Sequence, residues 1–218
     1  MHNDNNLNHI DPLRLMAEKQ SQQKEYSPMN PPDAYSPPGF QPVDYEQMHP
    51  FLRKFMDEHK VALEKLGRFE AALIEIQQQG VSRKADQVLR DFFEFFDQKI
   101  TVHNLREERI LFPLLKQRLI NSGEHAAGDS LHTGVDLLED DHIKALQLAA
   151  VVFNFFALSS RLPDEASRLI VMDAAIEQGK GLVEMLKLHI FREDNIVFAQ
   201  ANKLLTKEEL DQMAIQTE

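Results

Sequence analysis

His103-Asn104-Leu105-Arg106-Glu107-Glu108-Arg109-Ile110-Leu111-Phe112 has a second copy in the chain, His189-Ile190-Phe191-Arg192-Glu193-Asp194-Asn195-Ile196-Val197-Phe198. Five of ten positions are identical, in the pattern H-x-x-R-E-x-x-I-x-F. Residues four apart on a helix share a face, so each copy aims an imidazole and a carboxylate in one direction. That pair is a set of metal donors.

Working outward, a second repeated element precedes each copy. Asp57-Glu58-His59-Lys60-Val61-Ala62-Leu63 and Asp140-Asp141-His142-Ile143-Lys144-Ala145-Leu146 share Asp, His, Ala and Leu. The unit is therefore one His followed by His-x-x-x-Glu, used twice, with 44 residues from His59 to His103 and 47 from His142 to His189. Two αα-hairpins of this kind, packed together, place four His and two Glu around a pseudo-two-fold axis.

The flanking periodicity makes every one of these segments a helix. Leu52, Phe55, Ala62, Leu66, Phe69, Leu73 and Ile76 keep steps of three and four over 44–79 once His59 fills its slot. After a turn at Gly80-Val81-Ser82, residues 83–120 carry Leu89, Phe92, Phe96, Ile100, His103, Glu107, Ile110 and Leu114 on one stripe. Pro113 interrupts this helix and predicts a bend just past the ligand pair. Residues 121–133 read as a loop. A third helix over 134–159 has Val135, Leu138, His142, Ala145, Ala149, Val152 and Phe156 in step. A fourth begins near Pro163-Asp164 and runs through Met172, Ile176, Gly179, Val183, Leu186, His189, Glu193 and Ile196, where Gly179 and Gly181 mark an irregularity or a close helix contact. Thr206-Lys207-Glu208-Glu209 is a capping box for a short terminal helix. The fold predicted is all-α: an antiparallel up-down-up-down four-helix bundle over 44–218 with a short C-terminal helix. Residues 1–43, rich in Pro, Asn and Gln, read as an extended Pro-rich arm, a flexible tail with binding of a protein partner as its second reading.

Composition narrows the chemistry. The chain has 218 residues, a net charge of -11 and no cysteine. Neither nucleic acid nor an anionic membrane surface suits that charge. Thiolate chemistry and disulfides are excluded, so nitrogen and oxygen must hold any metal. The N-terminus lacks the basic-then-apolar pattern of a signal peptide, which makes the cytoplasm the expected location. Residues 145–158, the longest apolar stretch, are too short for a membrane span and read as a buried helix.

Burying two carboxylates and four imidazoles costs several kcal/mol per ion unless something compensates, and the inner stripes carry no Arg or Lys. A pair of divalent cations would compensate both carboxylates. The proposed ligands are His59, His103, Glu107, His142, His189 and Glu193. Asp194 competes with Glu193, but the repeat favours Glu193. Arg106, Arg192, Glu108 and Asp194 read as outward or outer-layer groups, and His2, His9, His49, His125 and His132 as solvated side chains, with His132 near enough in sequence to reach the mouth of the site. Without thiolates the donors suit iron, manganese or zinc. Two shared carboxylates leave room for an oxo or hydroxo bridge and one open position, which favours two iron ions per chain, with zinc as the structural alternative.

These residues resemble the hemerythrin-like, or HHE cation-binding, family of four-helix bundles with a non-haem di-iron centre, over about residues 44–203. The resemblance implies the same six ligands and a protein that binds or senses O2, NO, peroxide or iron. The alternative it implies is a di-iron enzyme of the nitrosative or oxidative stress response, reducing NO or peroxide or donating iron for repair of iron-sulfur centres. Oxygen carriers of the family have a fifth histidine, four residues after the third-helix His. Here that position is Leu146, expected to project towards the same metal.

Overall fold

The computed structural model describes residues 43–126 and 131–216. Most of the expected arm therefore lies outside the described residues. Those described are helical, with no strand among them. After one 3-10 turn, Tyr45–Gln47, come α1 (Pro50–Gln79), α2 (residues 83–122), α3 (Gly134–Ser159), α4 (residues 165–204) and α5 (Lys207–Gln216). α1 thus starts later than the apolar periodicity alone implied. Pro50 occupies its first turn, and the His49 ring caps it by accepting from the Phe51 N–H at 3.3 Å.

Each helix starts and stops for a local reason. Gly80 ends α1 and Gly123 ends α2, both at positive φ (80° and 81°), a backbone conformation that glycine adopts without steric cost. Ser82 caps α2 by accepting from the Ala85 N–H at 3.0 Å. Thr133 and Asp136 form a reciprocal capping box on α3, and Asp164 caps α4 by accepting from the Ser167 N–H at 2.8 Å. The predicted box at Thr206 is present: Glu209 accepts from the Thr206 N–H, and Thr206 Oγ1 accepts from the Glu209 N–H.

α1 packs against α2 and α4, and α3 packs most extensively against α4, closing the up-down-up-down bundle. The core is in two parts. One, with Leu66, Phe69, Leu73, Phe92, Val152 and Leu186, fills the end near Gly80. The other, with Phe55, Leu111, Phe112, Leu115, Leu138 and Phe198, fills the opposite end, where α5 adds Leu210 and Met213. Along every bundle helix the candidate ligands lie between these parts, so the bundle is built as two apolar layers with one polar layer between them.

α2 and α4 each contain a π turn that begins at the candidate glutamate: Glu107–Leu111 in α2 and Glu193–Val197 in α4. α2 has another at Phe96–Ile100. A π turn adds one residue to a helical turn, so everything beyond it is displaced by one position. Leu111, Leu115 and Val197 are therefore buried, where unbroken helical periodicity predicted Ile110, Leu114 and Ile196. The turn also occurs in α4, which has no proline there, so a proline is not needed to form it. Pro113 sits in the first turn of the segment that follows, Phe112–Ser122.

Two other expectations change. α3 is not a buried helix: its inner stripe is in the core, but Ile143, Leu146 and Phe153 lie on an outer face. Leu146 is 57% exposed and so does not project towards the site. The next residue of the inner stripe after His142 is Ala145, which is buried in the apolar core.

Candidate metal centre

The structure brings all six candidate residues into one buried layer. Glu107 and Glu193 are 0% exposed, and His59, His103, His142 and His189 are all buried. The imidazoles meet in two pairs through Nε2: His59 with His103 at 2.9 Å, and His142 with His189 at 3.2 Å. Each pair joins a helix carrying a lone His to the next helix carrying His-x-x-x-Glu, as the repeat requires.

Both carboxylates straddle the two pairs. Glu107 turns Oε1 towards His103 Nε2 (3.4 Å) and Oε2 towards His142 Nε2 (3.6 Å). Glu193 turns Oε2 towards His59 Nε2 (3.2 Å) and Oε1 towards His189 Nε2 (3.2 Å) and His142 Nε2 (3.9 Å). None of these four oxygens has a hydrogen-bond partner aligned to it. Burying a carboxylate is costly unless a cationic group or a bound cation stands beside it. The donors form two groups, His59, His103, Glu107 and Glu193 in one and His142, His189 and Glu193 in the other. The unmatched oxygens together with converging Nε2 atoms fit cations and offer little else to satisfy them.

Around this layer lies a ring of carboxylates facing the Nδ1 atoms. Asp194 meets His59 Nδ1 at 2.8 Å, Glu58 meets His103 Nδ1 at 2.7 Å, and Glu108 meets His142 Nδ1 at 2.8 Å. Asp141 stands 3.8 Å from His189 Nδ1. A carboxylate accepting from Nδ1–H turns the lone pair of Nε2 inward and makes it a better donor. Arg106 bonds Glu58, and Arg192 bonds Asp141 at 3.0 Å, so each arginine of the repeat anchors the acid that precedes a lone His. The repeat phenylalanines complete the pattern: Phe112 stacks on His142 and Phe198 on His59.

The acids raise the proton affinity of three of the imidazoles against the effect of burial. Burial pushes His59 down, but Asp194 and Glu193 raise it to about 10. Against the same burial, Glu107 and Glu58 raise His103 to about 9, and Glu193 and Asp141 raise His189 to about 10. Burial pushes Glu58 up, yet His103 and Arg106 bring it down to about 2. Despite complete burial, His189 and His59 hold Glu193 well below the usual carboxylate range.

A cavity of about 500 Å³ opens on the α1–α2 side and reaches His59, His103 and His189. Ala62, Leu66, Ile100, Leu186 and Ile190 make its wall apolar, while Lys99 and Asn104 also line it. A small uncharged molecule has a path to the layer; His142 does not line this cavity.

Asp194 and Glu108 are outer partners of histidines, and the two arginines lie beside the site rather than pointing away from it. Sequence reasoning gave Glu58 and Asp141 no role, although an acid before each lone His is visible in the repeat. Of the remaining histidines in the described residues, His49 is a cap that also pairs with Asp211 at 3.1 Å rather than a solvated side chain. His132 is exposed and stands 3.9 Å from Asp136, outside the layer. His125 is half-buried and bonds the Ala126 carbonyl at 3.1 Å, outside the layer, and His2 and His9 lie outside the described residues.

Comparison with known proteins agrees with this architecture. A family model described as the hemerythrin HHE cation binding domain matches residues 51–201. The iron-sulfur cluster repair protein YtfE of Cronobacter sakazakii is 27% identical over 113 residues, which cover 52% of this chain and 46% of that protein. The match therefore spans less than half the length of that relative.

Proposed function

Because this chain belongs to the hemerythrin HHE cation-binding family, we propose that it is a non-haem di-iron protein that binds or senses O2, NO, peroxide or iron, with His59, His103, Glu107, His142, His189 and Glu193 as ligands. The observation that carries this reading is the straddling of two imidazole pairs by both buried carboxylates, each with one oxygen towards either pair. His59 and His103 would hold one iron and His142 and His189 the other, with Glu107 and Glu193 shared. When bound, the iron pair supplies redox electrons and a coordination position for the small ligand. The chain's own part is to fix the Nε2 atoms through the outer carboxylates, keep bulk water from the layer with Phe112 and Phe198, and admit an uncharged ligand past Ala62 and Ile190. Residues 44–218 form the metal-binding domain, and the cytoplasm is its proposed location.

Aerobically purified protein is expected to contain about two irons per chain and to show ligand-to-iron charge-transfer absorption that changes when azide is added. Zinc in place of iron, or a chain that folds and stays stable with no metal at all, would overturn the reading. The similarity to a protein named for iron-sulfur cluster repair favours a second reading, iron donation or NO or peroxide reduction under stress. Recovery of activity in a cluster-damaged dehydratase on adding the iron-loaded chain, against stoichiometric NO binding without turnover, separates the two.

A further inference from the structure

α3 carries two apolar stripes. The inner one, through Leu138, His142, Ala145, Ala149 and Val152, is buried. The outer one runs Ile143, Leu146, Ala150, Phe153 and Ala157 in strict alternation of three and four. Ile143 is 56% exposed, Leu146 57% and Phe153 55%. Isolated exposed leucines are ordinary, but a continuous seam with heptad spacing is the pattern of a helix that packs on both sides. Phe153 also meets Phe93 of α2 edge-on at 5.3 Å, which widens the patch towards that helix.

We infer that this stripe is the seam of a two-fold dimer, with α3 packed antiparallel against α3 of a second copy across Ala150. Charge selects the occupant. The chain carries a net charge of -11, yet residues 145–160 hold no ionisable side chain, so two copies can meet there without opposing acids. At the ends of the stripe the charges are opposite. Glu139 lies eleven residues before Ala150, and Arg161 lies eleven after it. A two-fold axis at Ala150 sets Glu139 of each copy, which also stands 4.0 Å from Lys116 of its own chain, towards Arg161 of the other, in the turn just past the end of α3, at a shallow crossing of about 20°. Ala150 and Ala157, seven apart, let the backbones approach, and Ile143 faces the small Ala157.

The absence of cysteine gives a clean test. The full native chain of 25.1 kDa is expected to sediment at about 50 kDa, as a two-fold dimer. Ala150→Cys should form a disulfide-linked dimer on mild oxidation. Ile143→Cys should not, since its mate lies about 21 Å away along the seam, whereas Ile143→Cys combined with Ala157→Cys should. Glu139→Arg and Arg161→Glu should each weaken association about tenfold or more and together restore it. Phe153→Glu should give a monomer with unchanged helicity, and the charge pair remains decisive if that variant misfolds. A chain that stays monomeric at about 100 μM, or that floats as a monomer with phosphatidylglycerol vesicles, overturns the inference. So does cross-linking of Ile143→Cys equal to that of Ala150→Cys, or a dimer indifferent to both the charge pair and Phe153→Glu.

Discussion

Replacing His103 or His189 with Ala removes one inward Nε2 and leaves Glu107 or Glu193 with fewer groups to share its charge. Metal content and thermal stability are expected to fall together, because binding energy at such a site is also folding energy. Metal analysis beside a melting curve checks this, and full iron stoichiometry in either variant removes that residue from the ligand set. His132→Ala and His125→Ala should leave both readouts unchanged. Proton linkage at the same residues gives a pH prediction. His59, His103 and His189 have folded values raised to about 10, 9 and 10. Their contribution to stability is complete below the unfolded value near 6.5 and disappears as pH rises through 9–10. Glu58, lowered to about 2, and Glu193, also lowered, contribute above the unfolded value near 4.5 and lose that contribution as pH falls. Urea unfolding of the metal-free chain should therefore show a maximum between roughly pH 4.5 and 6.5. Metal has the reverse dependence, since it must displace the imidazole protons. The reference imidazole value alone would place iron release near and below pH 6; the raised values move the competition up to neutrality. Anaerobic addition of ferrous ion at pH 7 in weak buffer should release protons, and an unchanged pH on stoichiometric loading would contradict the assignment.

At the scale of the helix, the π turns at Glu107 and Glu193 let each carboxylate point into the layer while the next apolar stripe still faces the core. Since α4 makes the same turn without a proline, Pro113→Ala is expected to leave iron stoichiometry unchanged and stability within about 1 kcal/mol. Loss of iron in that variant would show that the proline shapes the site after all. The two glycines of α4 behave differently. A Cβ on Gly179 would come within 2.8 Å of Leu73 Cδ1, in the core between α1 and α4, whereas one on Gly181 meets nothing within 4 Å. Gly181→Ala should therefore raise stability by roughly 0.5–1 kcal/mol. Gly179→Ala should fall below it by about 1–3 kcal/mol through overpacking, as read from paired denaturation midpoints.

For the whole molecule, the polar layer lies between two apolar cores and ties all four bundle helices together, so its state governs the bundle. With the proposed ligands, chelation should lower the melting temperature and raise amide exchange in both cores, because Glu107 and Glu193 would then be left without cations. Exchange that rises only at the α1–α2 turn would show the layer to be uncoupled from the far core. Placement of the cavity on the α1–α2 side and of the exposed stripe on α3 keeps ligand entry and the inferred seam on different faces, so dimer formation should not alter azide affinity.

Much of this was legible in the repeat. Helical spacing and two copies of His-x-x-x-Glu were enough to predict the bundle, its connectivity and six residues that converge, because a 3.6-residue period fixes which side chains share a face and antiparallel pairing fixes their level. Periodicity is a local property, however, and tertiary packing decided what lay beyond it. The inserted π-turn residue moved burial from Ile110, Leu114 and Ile196 to Leu111, Leu115 and Val197. Leu146 proved to face outward, although the sequence reading expected it to reach the metal, while Ala145 kept the inner position its spacing gave it. Glu58, Asp141, Arg106 and Arg192 recur in the repeat, but each arginine meets its acid across two helices, and such a pairing is set by how the helices pack rather than by spacing along one of them.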